Sequence, residues 1–88
     1  MKKLVTTIEV LGEGLEALLG ERVLLMCGNY FYTGVLEGVN ETCVKLTDSG
    51  IVYETGPWSD RKYTSEQKLH TDVWYVSQAA IESFGIGK

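Results

Sequence analysis

Trp58, Arg61, Lys62 and Tyr63 interleave aromatic rings with positive charge inside a polar stretch, and Lys68 extends the run. Proteins that hold single-stranded nucleic acid combine these two features, rings on which bases stack and cations that follow the phosphates. The plainer alternative is structural, with Trp58 and Tyr63 covering the flank of a core while Arg61 and Lys62 stay solvated beside Asp60 and Glu66. Catalysis has no comparable starting point. A cysteine nucleophile needs a base close by, and the lone His70 falls in a polar segment, where a solvated loop residue is expected. The carboxylates are scattered singly, and Cys27, Cys43 and His70 show no metal-ligand spacing. Gly12-Glu13-Gly14 precedes an apolar run but carries no dinucleotide fingerprint. The expectation is a protein that is no enzyme and uses no cofactor and no metal.

The 88 residues, 44% hydrophobic and 23% charged, make room for one ordinary globular domain. A domain this small buries only about 60 to 65% of its unfolded surface, so it leans readily on partners. No apolar run approaches the length that spans a bilayer. Met1-Lys2-Lys3 could open a signal peptide, but Thr6, Thr7 and Glu9 interrupt Leu4 to Leu11 where an apolar region would be required. A soluble, cytoplasmic protein without a membrane partner is expected. In that compartment Cys27 and Cys43 are read as reduced thiols, with a Cys27–Cys43 bridge as the sharper alternative. The formal net charge of -4 opposes a strong nonspecific grip on phosphates. Its distribution softens the objection, with four basic residues against nine acids through Asp60 and four against three from Arg61 onward.

These residues have to be held by a small β structure. Residues 1–12 read as an extended arm or extra strand, β-branched on both sides. Residues 13–19 place Leu15, Leu18 and Leu19 at helical spacing before Gly20, which predicts a short amphipathic helix. Arg22 to Cys27 is continuously apolar after the arginine, as in a strand buried on both faces, and Gly28-Asn29 is a hairpin signal. A meander over 22–54 follows, with the second strand from Tyr30 to Val39, a polar turn at Asn40-Glu41, and a third strand interrupted by a turn or bulge at Asp48-Ser49-Gly50. Residues 55–71 are mostly polar and predict a long variable loop or protruding hairpin. Residues 72–84 hold two last strands, Val73 to Val76 and Ala80 to Phe84, joined by Ser77-Gln78-Ala79, and Gly85 to Lys88 reads as a flexible tail. Gly34 and Gly38 fall on one face of the second strand, where glycine marks a bend or a close backbone approach of the kind small barrels need.

The stretch Tyr32-Thr33-Gly34-Val35-Leu36-Glu37-Gly38-Val39-Asn40 resembles the second strand of Sm and Sm-like (LSm) proteins, in which Gly-x-Leu-x-Gly-hydrophobic-Asp runs into a nucleotide-binding turn. The order of helix, three-strand meander, variable loop, strand, short turn and strand is also theirs, and Gly20 to Asp48 matches better than Val73 to Phe84. The resemblance implies an all-β fold with a short N-terminal helix, a small, strongly bent five-stranded antiparallel SH3-like barrel. It also implies a homo-oligomeric ring of about five to seven subunits, presenting two turns per subunit to single-stranded RNA or DNA, RNA first. Those turns fall here on Asn40, Glu41, Thr42 and Cys43, and on Ser77 and Gln78. The chemistry departs from the family's. Asn40 replaces an aspartate, Thr42-Cys43 stands where Met-Asn opens the next strand, and Ser77-Gln78-Ala79 replaces Arg-Gly-Asn. Gln78-Ala79 has some likeness to the His-Ala of the bacterial Hfq type. Asn40 and Gln78 retain amides that donate to and accept from base edges, although Asn is equally a favoured turn residue and Gln a common solvated one. Divergent forms of this kind are expected in bacteria and phages.

The same glycine bends serve SH3-like modules, which bind protein or build structural rings, in a phage particle for example. The acidic charge and the absent RNA motif favour this rival. Salt separates the two, because phosphate contacts weaken as salt rises and apolar protein anchors need not.

Overall fold

The computed structural model describes residues 12–88, an antiparallel sheet of six strands. These are β1 (Arg22–Cys27), β2 (Phe31–Val39), β3 (Cys43–Glu54), β4 (Ser65–Lys68), β5 (Val73–Ser77) and β6 (Ile81–Ile86). The hydrogen-bonded order is β4-β3-β2-β1-β6, with β5 also on β3. The meander expected over 22–54 is present with those outer bounds, and the arm expected over 1–12 lies outside the described residues except for Gly12.

β1 is buried on both faces because its side chains divide between two clusters. Val23, Leu25 and Cys27 enter the main core with Leu36, Val44, Leu46 and Val76. Leu24 turns the other way onto Val52 and Tyr63, with Met26 and Phe31 against them. Full burial of side chains such as Leu25, Leu36 and Leu46 contributes roughly 1.5 to 3 kcal/mol each. Both cysteines are free thiols, Cys27 buried and Cys43 half-buried, so the alternative bridge is not formed.

β3 organises the sheet. Its first half, Cys43 to Thr47, pairs with β5, and its second half, Gly50 to Glu54, pairs with β4. Between the halves Asp48 takes φ 47°, a left-handed conformation that aspartate tolerates. The β2 register slips between Thr33 and Val35 at the same level. Gly34 is the residue skipped, and a Cβ there would stand 3.0 Å from the Thr47 carbonyl oxygen and 3.2 Å from both Leu46 Cβ and Ser49 Cα. The bulge anticipated at Asp48-Ser49-Gly50 therefore does not end the strand; it bends one continuous strand against a glycine.

Three expectations are corrected: the helix, the number of strands and the free tail. The helix over 13–19 is not formed: a single 3-10 turn, Leu15–Leu18, stands there, with Gly14 at φ 77° before it and Gly20 at φ 85° after it. The segment between those glycines is too short to offset the cost of nucleating an α-helix, and no side chain caps its start. Leu15 and Leu18 still pack on the core while Leu19 stays exposed. Of the two readings of 55–71, the hairpin is the one formed: β4 folds back antiparallel onto Gly50 to Glu54, which otherwise presents an unpaired backbone edge, and so adds a sixth strand to the five expected. The tail is not free either. β6 runs on to Ile86, Gly87 N donates to the Arg22 carbonyl at 2.9 Å, and Lys88 N donates to the Tyr63 hydroxyl at 3.0 Å. Among the described residues β5 pairs with β3 and β6 with β1, and β5 and β6 are not paired with each other.

Candidate nucleic-acid interface

The β2–β3 turn is an Asx turn. Asn40 Oδ1 accepts from Thr42 N at 2.8 Å, Thr42 Oγ1 at 3.0 Å and Cys43 N at 2.8 Å. A side-chain acceptor here satisfies donors that a tight turn would otherwise leave open, which is why asparagine suits the position. The β5–β6 corner, a 3-10 turn over Gln78–Ala80, docks directly on this turn. Cys43 is the pairing partner of Ser77, Gln78 N donates to the Thr42 carbonyl at 2.8 Å, and Gln78 Nε2 donates to the Asn40 carbonyl. The structure thus brings Asn40, Glu41, Thr42, Cys43, Ser77 and Gln78 onto one rim at the start of β3. Much of their polar capacity is used within the fold. Asn40 Nδ2 and Gln78 Oε1 make no hydrogen bond among the described residues. The Glu41 carboxylate, exposed on the same rim, opposes phosphate.

The basic run sits at the far end of β3. Tyr63 is 8% exposed, its ring committed to the second cluster, while Trp58 is 63% exposed. Between them stands Lys88, its ammonium 5.4 Å from the Trp58 ring centre and 5.2 Å from that of Tyr63. It donates to the carbonyls of Thr55 and Pro57, both at 2.8 Å, and of Lys62 at 3.4 Å, which ties down the loop that carries Arg61 and Lys62. Arg22, Arg61, Lys62, Lys68 and Lys88 line one groove of about 490 Å³.

Besides Lys88, two more of these cations are already engaged, in ion pairs. Lys68 Nζ meets Asp48 Oδ1 at 2.9 Å and Glu66 Oε2 at 3.9 Å, and Arg22 pairs with the other Asp48 oxygen. The Lys68 hydrogen bond and charge, with Arg22 beyond them, hold the Asp48 carboxyl below its ordinary value. Arg61 and Lys62 enter no ion pair among the described residues. The sequence pointed to Arg61, Lys62 and Lys68 but not to Arg22 or Lys88. Arg22 opens β1, far back in the sequence, and Lys88 follows a glycine-spaced tail that reads as flexible.

Burial, with Glu82 adding, raises the Cys27 thiol above its ordinary value, so it stays protonated at neutral pH. Among the described residues no group of three or more His, Cys, Asp or Glu is placed to hold a metal ion. None of their helices is long and apolar enough to cross a membrane. No protein-family model, curated protein or solved structure matches the chain.

Proposed function

We propose that the chain is a divergent Sm-like protein that binds single-stranded nucleic acid, RNA first, as a homo-oligomeric ring. The observation that carries this reading is the groove lined by five cations and one carboxylate, Glu66, in a chain of net charge -4, with Arg61 and Lys62 in no ion pair among the described residues and the exposed Trp58 ring against Lys88 at its margin. Phosphates would follow Arg61 and Lys62, and Trp58 would offer a stacking face. The rim of Asn40 and Gln78 supports a second contact, through Nδ2 and Oε1 to base edges. β5 and β6 each keep one unpaired backbone edge within the described residues, which supports assembly by strand pairing between copies.

The rival reading, an SH3-like protein-binding or structural module, is favoured by one specific observation: the Asn40 and Gln78 amides already serve the fold. Titration of short labelled RNA and DNA oligonucleotides at several salt concentrations decides between them. Nucleic-acid binding predicts affinity that falls as salt rises, with Arg61→Ala/Lys62→Ala flattening the slope by roughly 1.4 units per subunit engaged. Absence of binding to either polymer at low salt overturns the proposal and leaves the protein-binding module.

A further inference from the structure

A second concave surface lies between the β1–β2 hairpin and the β5–β6 corner; the basic groove takes no part in it, and the rim shares only Ser77 with it. Its volume is about 580 Å³, and Tyr30, Tyr32 and Tyr75 line it with Cys27 and Glu82. Tyr30 and Tyr32 meet edge to face, ring centres 6.3 Å apart and planes at 64°, so they form two differently oriented walls rather than a flat shelf. Tyr75, from β5, is 61% exposed, and Tyr30 is 48% exposed. Glu82 leans over the hairpin: a Cβ on Gly28 would stand 3.5 Å from its Oε1. Among the described residues no lysine or arginine lines the cleft. Lys45, the cross-strand partner of Tyr75, stands on the neighbouring strand outside it.

We propose that this cleft binds an alkylammonium group, that of a methylated lysine side chain on a partner peptide. Aromatic faces attract a cation through their quadrupoles, most strongly where the cation sheds water cheaply, and a carboxylate in the wall adds direct attraction. A methylated ammonium keeps its charge while offering methyl groups to the rings. A nucleotide could stack on the same tyrosines, but its phosphate would face Glu82 with no cation among the described lining residues to answer it. A choline headgroup brings the same disadvantage with its own phosphate, which leaves a peptide as the source. The site is independent of nucleic-acid binding, since the cations of the groove take no part in it.

The test is a titration of the labelled protein by amide NMR with tetramethylammonium chloride, a trimethyllysine peptide, phosphocholine and the neutral isostere 3,3-dimethylbutanol, with sodium chloride as the ionic control. Saturable shifts at Tyr30, Tyr32, Tyr75 and Glu82 are expected with the first two ligands. The isostere and phosphocholine should bind at least about fivefold more weakly, and Glu82→Gln should weaken the cation by roughly three- to tenfold. Tyr75→Leu, at an exposed position that leaves the core intact, should abolish the response while the remaining spectrum stays folded. Equal binding of the neutral isostere, binding unchanged in Tyr75→Leu, or tighter binding of phosphocholine than of the peptide overturns the proposal. So does a complete absence of shifts.

Discussion

Asn40 shows how one side chain can belong to two accounts. Its Oδ1 closes the β2–β3 turn through three hydrogen bonds while its Nδ2 is free of bonds among the described residues, so the two amide atoms can be tested apart. Asn40→Ala removes the acceptor and should lower stability by about 1 to 2 kcal/mol. Asn40→Asp keeps an acceptor in place and should hold the denaturation midpoint close to that of the wild type. If Nδ2 reads a base, both variants lose affinity for a preferred base while the salt slope stays nearly unchanged. Retention of full affinity in Asn40→Asp would confine the residue to the turn. Asp48 offers a different test, through pH. Its carboxyl is lowered by Lys68 first and Arg22 after it, so the stabilisation from this latch is complete above the unfolded-state value and disappears as pH falls through the lower folded-state value. An NMR titration should place the Asp48 midpoint below 3.8, and Lys68→Ala should move it back up. A midpoint unaffected by Lys68→Ala would remove the latch from the account of the β3 bend.

That bend is the element on which the architecture turns, because it allows one strand to serve β5 with its first half and β4 with its second. Gly34 sits where the bent backbone comes closest. A Cβ there would stand 3.0 Å from a carbonyl oxygen and 3.2 Å from Ser49 Cα, backbone atoms that cannot swing aside. Gly34→Val should therefore cost about 2 kcal/mol or more through overpacking. Glu37→Ala, at an exposed position of the same strand, should cost much less, although it loses the bond from Thr47 Oγ1 at 3.0 Å. Equal chemical-denaturation midpoints for Gly34→Val and wild type would show that the contact does not govern the bend. This part of the fold was legible in the sequence because it is local: Gly34, the Gly28-Asn29 turn and the apolar run of β1 each state their own geometry. Helical spacing at Leu15, Leu18 and Leu19 was legible too but misleading, since flanking glycines at positive φ truncate the segment to a single turn. β4 and the end of β6 could not be read locally. Their residues are polar or glycine-rich, and they are ordered by partners far along the chain, Gly50 to Glu54 for β4 and β1 with Tyr63 for the tail. The candidate site divides the same way. Arg61 and Lys62 stand in one short run, whereas their meeting with Arg22 and Lys88 depends on the whole topology.

At the scale of the whole molecule the unfinished feature is the sheet itself. β4, β5 and β6 each hydrogen-bond to one neighbour among the described residues, which leaves each of them one unpaired backbone edge. Exposed edges invite pairing; of these the edges of β5 and β6 are candidates for contact between copies, with Phe84 and Ile86 exposed on β6. Because the two edges belong to different strands, a contact between them is head-to-tail, and such contacts close into a ring when the rotation permits. A discrete closed oligomer is the expected solution species. Light scattering at micromolar concentration should give one mass that is a whole multiple of 9.8 kDa. Assembly also couples to stability, since a partner that binds only the folded chain stabilises it by mass action. The thermal midpoint should then rise with protein concentration, and a polar replacement such as Ile86→Lys should lower both the mass and the midpoint at fixed concentration. A monomer whose midpoint is independent of concentration would leave both edges without an intermolecular role. It would also leave Arg61 and Lys62 to act as a single pair of charges, in which case the salt slope for oligonucleotide binding would fall to that of one subunit, a loss of roughly 1.4 units on removing both. The mass and the slope therefore have to agree, since a ring engaging several grooves on one strand multiplies the second quantity in step with the first.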